Sequence, residues 1–371
     1  LTQEQLAQKV GKKQSTIANK LRLLQLPMTV QEAVRRRDIT ERHARALLKL
    51  DTTAKQNNML REIMDKGLNV EQTEQKIKKG IAFAILAAVL YAINAPFSKI
   101  LLEFMPPTLM AGFLYVGAGI GMIFIALMRK IKKYEAKELK LTKSELPYTI
   151  AMIVLDIAAP ICLLFGLNST TAANASLLNN FEIVATAIIA LIVFKEKIST
   201  RLWFGIFFVT LSCGILSFED ISSLRFSYGS LFVLLATICW GFENNCTRKI
   251  SSKDPLQIVL LKGIFSGIGS LIIGLFIGER IEALWSTVAV LCVGFVAYGL
   301  SIYFYVYAQR LLGAARTSAY YAVAPFIAAI LSLIIFREIP DVTYFVALVL
   351  MIVGAWLSSQ DKPLIRKVKN E

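Results

Sequence analysis

Histidine is almost absent from this sequence. The only one is His43, which lies in a polar stretch well before the long apolar runs. Since histidine is a frequent metal ligand and general base, its scarcity excludes most zinc chemistry and most acid–base catalysis from the apolar part. The five cysteines have no Cys-x-x-Cys spacing and lie in or beside apolar runs, so we interpret them as packing residues.

Other chemical signatures are missing as well. The sequence contains no phosphate-binding loop, no cofactor loop and no paired nucleophile and base. We therefore expect no enzymatic activity, no cofactor and no metal site. We expect no signal peptide, and since Leu1 lies within a predicted helix start, we expect the natural chain to begin before it.

Apolar and basic residues are abundant instead. The 371 residues are 56% hydrophobic, with a mean hydropathy of +0.58 and a formal charge of +15. This combination is typical of an integral membrane protein, because basic residues collect in its cytoplasmic loops. Residues 1–79 hold 17 Lys or Arg against 9 Asp or Glu, whereas the other 292 residues hold 24 against 17. The chain thus divides into a densely basic head and an apolar remainder.

The head begins with LTQEQLAQKVGKKQSTIANKLRLLQLP, which predicts a helix, a turn and a second helix. Thr2 and Gln5 fit a capping box, Gly11 suits the turn, and Ser15 is predicted to cap the second helix. Polar side chains on or beside the second helix suit base edges or phosphates in a major groove. These residues are Gln14, Ser15, Thr16, Asn19, Lys20 and Arg22. A small helical bundle with a basic surface is the alternative interpretation.

The stretches KKQSTIANKLRLLQLP and ITERHARALLKL resemble the central DNA-binding domain of the ParB family, and within it the nucleoid-occlusion branch. The resemblance covers residues 1–79 and implies DNA as a partner. It implies that Gln14, Lys20 and Arg42 select the operator. The side chains suited to phosphate contacts are Lys12, Lys13, Arg22 and Arg45.

Two parts of the family pattern are not found, namely an upstream nucleotide-binding domain and a C-terminal dimerisation domain. After GLNVEQTEQKIKK the apolar run begins instead. A lone helix-turn-helix reads half of a palindrome, so we expect weak, salt-sensitive DNA binding. A homodimer stays open as a further partner.

Ten apolar stretches approach the roughly 20 residues that span a bilayer. They lie near 80–102, 107–128, 147–167, 172–194, 202–218, 229–247, 256–277, 284–307, 314–336 and 342–359. With the N-terminus inside, the cytoplasmic loops and tail hold 19 Lys or Arg and the external loops hold 3. The positive-inside rule therefore predicts a multi-pass membrane protein with its N-terminus inside. Both termini, including the basic tail 361–371, are expected in the cytoplasm.

The apolar part contains an internal repeat. Residues 172–196 align with 314–338 without gaps, with nine of 25 positions identical, and 80–100 align with 229–249. The offsets imply five helices per repeat, and an odd number inverts the second repeat. The predicted fold is all-α: a ten-helix transmembrane bundle of two inverted five-helix repeats, 80–218 and 229–360, after a small helix-turn-helix domain.

The small-residue run ending in a basic residue and Glu, present in both repeats, resembles the EamA family of the drug/metabolite transporter superfamily. The resemblance covers about residues 80–360. It implies a ten-helix carrier of the bacterial cytoplasmic (inner) membrane for small organic solutes, often an exporter, without an ATPase module. The usual proline of the family is present as Pro325, whereas Ile183 stands at the matching position of the first repeat.

Charged and polar side chains inside the predicted helices are the candidate substrate or proton pathway, because burying them in a membrane is costly. Glu182 shares a helix face with Asn179, which suits a proton or a polar solute. The alternative is that Glu182 pairs with Lys262 and only fixes packing. The repeat also places several polar positions at matched depths near the pseudo-twofold axis. The full set is Asn94, Asp156, Asn179, Glu182, Glu243, Asn244, Lys262, Tyr320 and Tyr321.

The leading prediction is a secondary transporter with an appended DNA-binding head, working by alternating access on a small organic solute within the lipid bilayer. Proton coupling through Glu182 is a hypothesis. The alternative is a membrane-tethered, sequence-specific DNA-binding protein of the nucleoid-occlusion or partitioning type. The absence of a linker at KIKKG also leaves open that two unrelated coding regions are joined end to end.

Overall fold

The computed structural model describes most of the chain in two compact units. The described residues are 2–50, 53–131, 141–193, 198–220, 225–250, 253–281, 283–312, 317 and 320–359. The basic tail 361–371 lies outside them. The N-terminal unit comprises Leu1–Ile85 with Tyr305–Tyr320, and the membrane unit comprises Leu86–Phe304 with Tyr321–Glu371.

The N-terminal unit is helical, as its sequence predicts. Its helices are α1 (Gln3–Val10), α2 (Gln14–Leu23), α3 (Met28–Arg35), α4 (Glu41–Leu47), α5 (Thr53–Lys66) and the start of α6 (Val70–Ala92). The predicted capping box of Thr2 and Gln5 is present, and Gly11 ends α1 in the left-handed conformation with φ of 64°. The prediction for Ser15 was wrong: α2 begins at Gln14 after Lys13, with no side-chain cap.

A single apolar core holds this unit together. Val30, Leu47, Ile63 and Ile77 are buried in it, along with Leu312 from the second segment of the unit. Beside this core, α5 is tied to α6 through Glu62, which accepts hydrogen bonds from Lys66 at 2.8 Å and from Lys76. These hydrogen bonds lower the pKa of the Glu62 carboxyl.

The apolar part is confirmed as a helical bundle. The helices are α7 (Asn94–Leu101), α8 (Pro107–Ile131), α9 (Leu146–Ser169), α10 (Ala172–Leu178), α11 (Phe181–Ile192), α12 (Thr200–Leu216), α13 (Tyr228–Ile250), α14 (Pro255–Leu261), α15 (Gly267–Phe276), α16 (Leu284–Val293), α17 (Ser301–Leu312), α18 (Ala324–Phe336) and α19 (Val342–Ser359). Within the described residues, seven continuous segments are long and apolar enough to cross a membrane, and α12 and α18 are shorter apolar helices. Two short antiparallel strands, β1 (Phe218–Asp220) and β2 (Arg225–Phe226), add a small ribbon between α12 and α13.

Several spans have an interrupted backbone. The first is broken at Ile93 between α6 and α7, and the fourth at Asn179–Asn180 between α10 and α11. π-helical segments occur at Lys262–Ser266 and at Gly294–Leu300. Irregular backbone at membrane depth needs protein or water partners, and broken helices and π-bulges are frequent at functional sites. These interruptions therefore direct attention to the interior polar residues.

Glycines let the spans approach closely at the centre of the membrane unit. A Cβ atom added to Gly117 in α8 would collide with the backbone carbonyl of Leu291 in α16. Conversely, a Cβ added to Gly294 would collide with the backbone carbonyl of Leu114 in α8. Lipid tails are as apolar as leucine, so close van der Waals packing between small residues drives such helix contacts.

We expect Gly117→Ala to destabilise the full-length protein by about 1–3 kcal/mol, because rigid backbone cannot move aside as a flexible side chain does. The matched control is Gly214→Ala in α12, where an added Cβ meets no described atom within 4 Å. That variant should stay within about 1 kcal/mol of the parent protein. Thermal unfolding of the purified proteins in detergent measures both. Equal melting temperatures for the two variants would contradict the close approach of α8 and α16.

Candidate functional site

The centre of the candidate site is one lysine shared by two carboxylates. Lys262 Nζ lies 2.6 Å from Glu243 Oε1 and 3.3 Å from Asp156 Oδ2. Asp156 is 1% exposed and Glu243 is 3% exposed. Lys262 begins the π-helical segment, Asp156 comes from α9 and Glu243 from α13. Helices α9 and α13 pack along each other, so the residues converge through the main packing of the bundle.

Neighbouring hydroxyl groups extend the ionic cluster. Tyr115 donates its hydroxyl proton to Asp156 Oδ1 at 3.0 Å, and Thr247 donates to Glu243 Oε1. Buried charges need such partners, since removing a charge from water costs several kcal/mol unless pairing and hydrogen bonds offset it. The arrangement holds the carboxylates in place within an apolar bundle.

Glu182 lies close to this cluster but has a different partner. Asn244 Nδ2 donates to Glu182 Oε1 at 2.6 Å and is also 3.3 Å from Thr186 Oγ1. Glu182 lies within electrostatic range of both Glu243 and Lys262. Instead of the midpoint of one long helix, it occupies the first turn of α11, just after the break in the fourth span. Three carboxylates therefore share the field of one ammonium group.

A second polar contact joins the two repeats. Asn94, at the start of α7, donates from Nδ2 to the Tyr298 hydroxyl at 3.1 Å and accepts from Ser98 Oγ at 3.1 Å. Tyr298 belongs to the π-helical segment Gly294–Leu300. Both π-helical segments thus carry a polar side chain that points into protein rather than lipid.

The structure brings together five of the nine predicted pathway residues: Asp156, Glu182, Glu243, Asn244 and Lys262. Asn179 is tied to Glu182 through its backbone carbonyl, which accepts from Glu182 N at 3.1 Å. Tyr321 lies 3.4 Å from Ser301 Oγ through its hydroxyl. Tyr320 packs instead against the core of the N-terminal unit, so the cluster does not include it.

Sequence reasoning missed four contributors: Tyr115, Thr186, Thr247 and Tyr298. Tyrosine and threonine occur commonly in membrane spans as packing or interfacial residues, so single occurrences carry little signal. The spacing offered a partial clue, because Thr186 lies four residues after Glu182 and Thr247 four after Glu243, on the same helix faces.

The predicted DNA-binding residues lie on the surface of the N-terminal unit. All of them are exposed except Thr16, which is half-buried; the exposed ones are Lys12, Lys13, Gln14, Ser15, Asn19, Lys20, Arg22, Arg42 and Arg45. Lys20 in α2 lies 3.0 Å from Glu41 at the start of α4. This ion pair links α2 to α4, the helix that carries Arg42.

His43, the only histidine, has a structural position. Its Nδ1 accepts from Thr40 N at 3.2 Å, and its Nε2 lies 3.1 Å from the carbonyl oxygen of Leu68. Nδ1 as the acceptor and Nε2 as the donor fit both contacts. The side chain therefore links the N-terminus of α4 to the turn before α6.

The comparisons with known proteins match the basic head and the apolar remainder to different families. The model of the ParB HTH domain matches residues 1–81. The nucleoid occlusion protein of Geobacillus thermodenitrificans (strain NG80-2) is 65% identical over 79 residues, which cover 21% of this chain and 28% of that protein. The nucleoid occlusion protein of Bacillus subtilis (strain 168) is 61% identical over 79 residues, with the same coverage. The chain thus spans about 28% of the length of these relatives.

The membrane part has its own matches. A solved chain described only as "Crystal structure of protein" has a TM-score of 0.55 at 14% identity, covering 76% of this chain and 96% of that one. That likeness concerns the fold alone. The model of the EamA-like transporter family matches twice, at residues 78–218 and 227–360. Since these matches cover well over half of the sequence, the chain belongs to the EamA-like transporter family.

Proposed function

We propose that the protein moves a small organic solute across the membrane by alternating access of its two repeats, 80–218 and 229–360. The observation that carries the proposal is the buried cluster of Asp156, Glu243 and Lys262 with Glu182 beside it. An ionisable cluster of this kind inside a membrane bundle is costly, and a membrane anchor has no need of it. It suits a polar solute held near the midplane between two inverted repeats.

The balance of charge supports proton coupling. With all four groups ionised, the three carboxylates and one ammonium carry a net charge of −2. Such an excess is unfavourable in a low-dielectric interior, and a proton or a cationic solute relieves it. Glu182 is the best proton carrier of the set, because its described hydrogen bond comes from the neutral Asn244 rather than from Lys262. Binding a proton at Glu182 in one state and releasing it in the other would couple the solute to the proton gradient.

The head supplies a second function that the comparisons favour. Its 65% identity to a nucleoid occlusion protein spans the helices that carry Gln14, Lys20 and Arg42. We infer that residues 1–79 bind a DNA half-site weakly, from the cytoplasmic face of a bacterial inner membrane. Homodimerisation would pair two heads on a palindrome and strengthen binding. In the alternative function, the membrane part only tethers this DNA-binding head.

Lys262→Met should destabilise the full-length protein by about 3–5 kcal/mol, because it leaves Asp156 and Glu243 buried without their cation. The triple variant Asp156→Asn, Glu243→Gln, Lys262→Met removes all three charges and should recover most of the loss. Thermal unfolding in detergent measures both proteins. A triple variant that melts no higher than Lys262→Met would show that the ion pairs do not account for the destabilisation.

Glu182→Gln should abolish solute-driven proton movement, and with it the pH dependence of transport. The reason is that the amide cannot take up a proton at this position. The assay uses proteoliposomes that enclose a pH-sensitive dye, to which a panel of small organic solutes is added across a range of external pH. The control is Glu103→Gln, which removes an exposed carboxylate beyond α7 and should behave as the parent protein. Unchanged proton movement and pH profile in Glu182→Gln would rule out the coupling role.

DNA binding by the head should weaken steeply with salt. Replacing both Lys12 and Lys13 by Ala should reduce the slope of log K against log salt by about 2, since each phosphate contact contributes roughly 0.9. Fluorescence anisotropy of a labelled duplex with the full-length protein in detergent measures the slope. The control is Lys66→Ala, a lysine paired with Glu62, which should leave the slope unchanged. Equal slopes for the parent protein and the double variant would exclude these lysines from the interface.

A further inference from the structure

Four tyrosines of the membrane unit form a connected row of aromatic rings. The ring centroids of Tyr115 and Tyr298 are 5.2 Å apart, those of Tyr298 and Tyr91 are 6.0 Å apart, and those of Tyr91 and Tyr321 are 5.9 Å apart. The rings are tilted or edge-on to one another, with interplanar angles from 42° to 77°. We call this set the tyrosine row. Tilted rings present π faces, which attract cations.

The tyrosine row meets carboxylates at two points. At one end, Tyr115 donates its hydroxyl proton to Asp156 Oδ1 at 3.0 Å. Farther along, Tyr91 lies within electrostatic range of Glu182. Negative charge and π faces therefore occur in the same part of the bundle, which is the combination that binds organic ammonium ions in aromatic cages.

Buried acceptors near the cluster lack donors. Asn180 Oδ1 and Asn245 Oδ1 accept no hydrogen bond from any part of the chain that the structure describes, whereas Asp156 Oδ2 lies 3.3 Å from Lys262 Nζ. Both asparagines are 2% exposed. A buried polar atom without a partner costs about 1–3 kcal/mol, so such atoms usually have one. Missing donors are what a ligand with N–H groups would supply.

A negatively charged solute would fit the cluster poorly. Lys262, the cation of the cluster, is already shared between Glu243 at 2.6 Å and Asp156 at 3.3 Å. A carboxylate on the solute would have to displace one of them and leave that carboxylate buried and unpaired. The cluster therefore selects against negatively charged solutes.

We propose that the transported solute is a primary ammonium ion with an apolar or aromatic body. Its N–H groups are bound by Asp156 and the neighbouring amide oxygens, and its body lies against the tyrosine row. The inference rests on the proposed transport function and adds to it the chemical class of the substrate.

The test measures binding of three matched probes to the full-length protein in detergent by isothermal titration calorimetry. 2-Phenylethylamine carries a primary ammonium, benzyltrimethylammonium carries the same charge without N–H donors, and 3-phenylpropionate carries a negative charge. We expect 2-phenylethylamine to bind at least tenfold more tightly than either of the others. Equal or tighter binding of 3-phenylpropionate, or no binding of 2-phenylethylamine, would overturn the proposal.

Substitutions of Tyr91 then locate the site. Tyr91→Leu removes a π face and should weaken 2-phenylethylamine about five- to thirtyfold, whereas Tyr91→Phe keeps the face and should stay within about threefold of the parent protein. Circular dichroism and melting temperature check that both variants fold. Equal affinities for two folded variants would refute the assignment to the tyrosine row.

The two proposals fail in different ways. If 2-phenylethylamine does not bind while the solute panel in proteoliposomes reveals flux of neutral or anionic solutes, the ammonium proposal falls and the transport function stands. If no member of the panel, amines included, crosses the membrane, the transport function itself fails. Flux of 2-phenylethylamine that is lost in Asp156→Asn supports both.

Discussion

The burial of one ammonium group constrains much of the membrane unit. Lys262 is stable in an apolar bundle only because Asp156 and Glu243 flank it. These carboxylates belong to α9 and α13, so both helices must approach the π-helical segment that begins at Lys262. The hydroxyl of Tyr115 then satisfies the other oxygen of Asp156, and the hydroxyl of Thr247 donates to the same Glu243 Oε1 that faces Lys262. An exchange of any one member for an apolar residue leaves a charge or a donor without its partner.

Composition and periodicity were sufficient to predict the class of fold and the ionisable residues of the cluster. Hydrophobic length identifies the spans, and a charge inside such a stretch is conspicuous because few occur there. The breaks and the π-helical segments were not predicted. Neither the break at Asn179–Asn180 nor the segment Gly294–Leu300 contains a proline, and a single shifted hydrogen bond leaves no mark in the sequence. Tyr298 was missed for this reason, since its position depends on that local backbone.

The change from polar to apolar sequence does not coincide with the end of a helix. Charge and apolar content change near residue 79, yet α6 runs unbroken from Val70 to Ala92. Residues on both sides of the change have good helix propensity, and Gly80 is too isolated to end the helix. A Cβ added to Gly80 would contact Leu311 and Leu312. The glycine therefore serves close helix packing at this point rather than a flexible connection.

The two repeats have similar helix breaks but different side chains at the equivalent positions. The break in the fourth span at Asn179–Asn180 has a counterpart at Ala322–Val323 in the ninth, one position away in the repeat alignment. At the positions equivalent to Asn179 and Glu182, however, the second repeat has Tyr321 and Ala324. The broken helix of the first repeat thus carries the carboxylate and the amide, whereas that of the second repeat carries an aromatic ring. Under the proposed transport function, this matched pair of broken spans would serve alternating access. Of the two broken spans, the first contributes a carboxylate to the proposed site and the second contributes an aromatic ring, which suits a solute with a charged end and an apolar body.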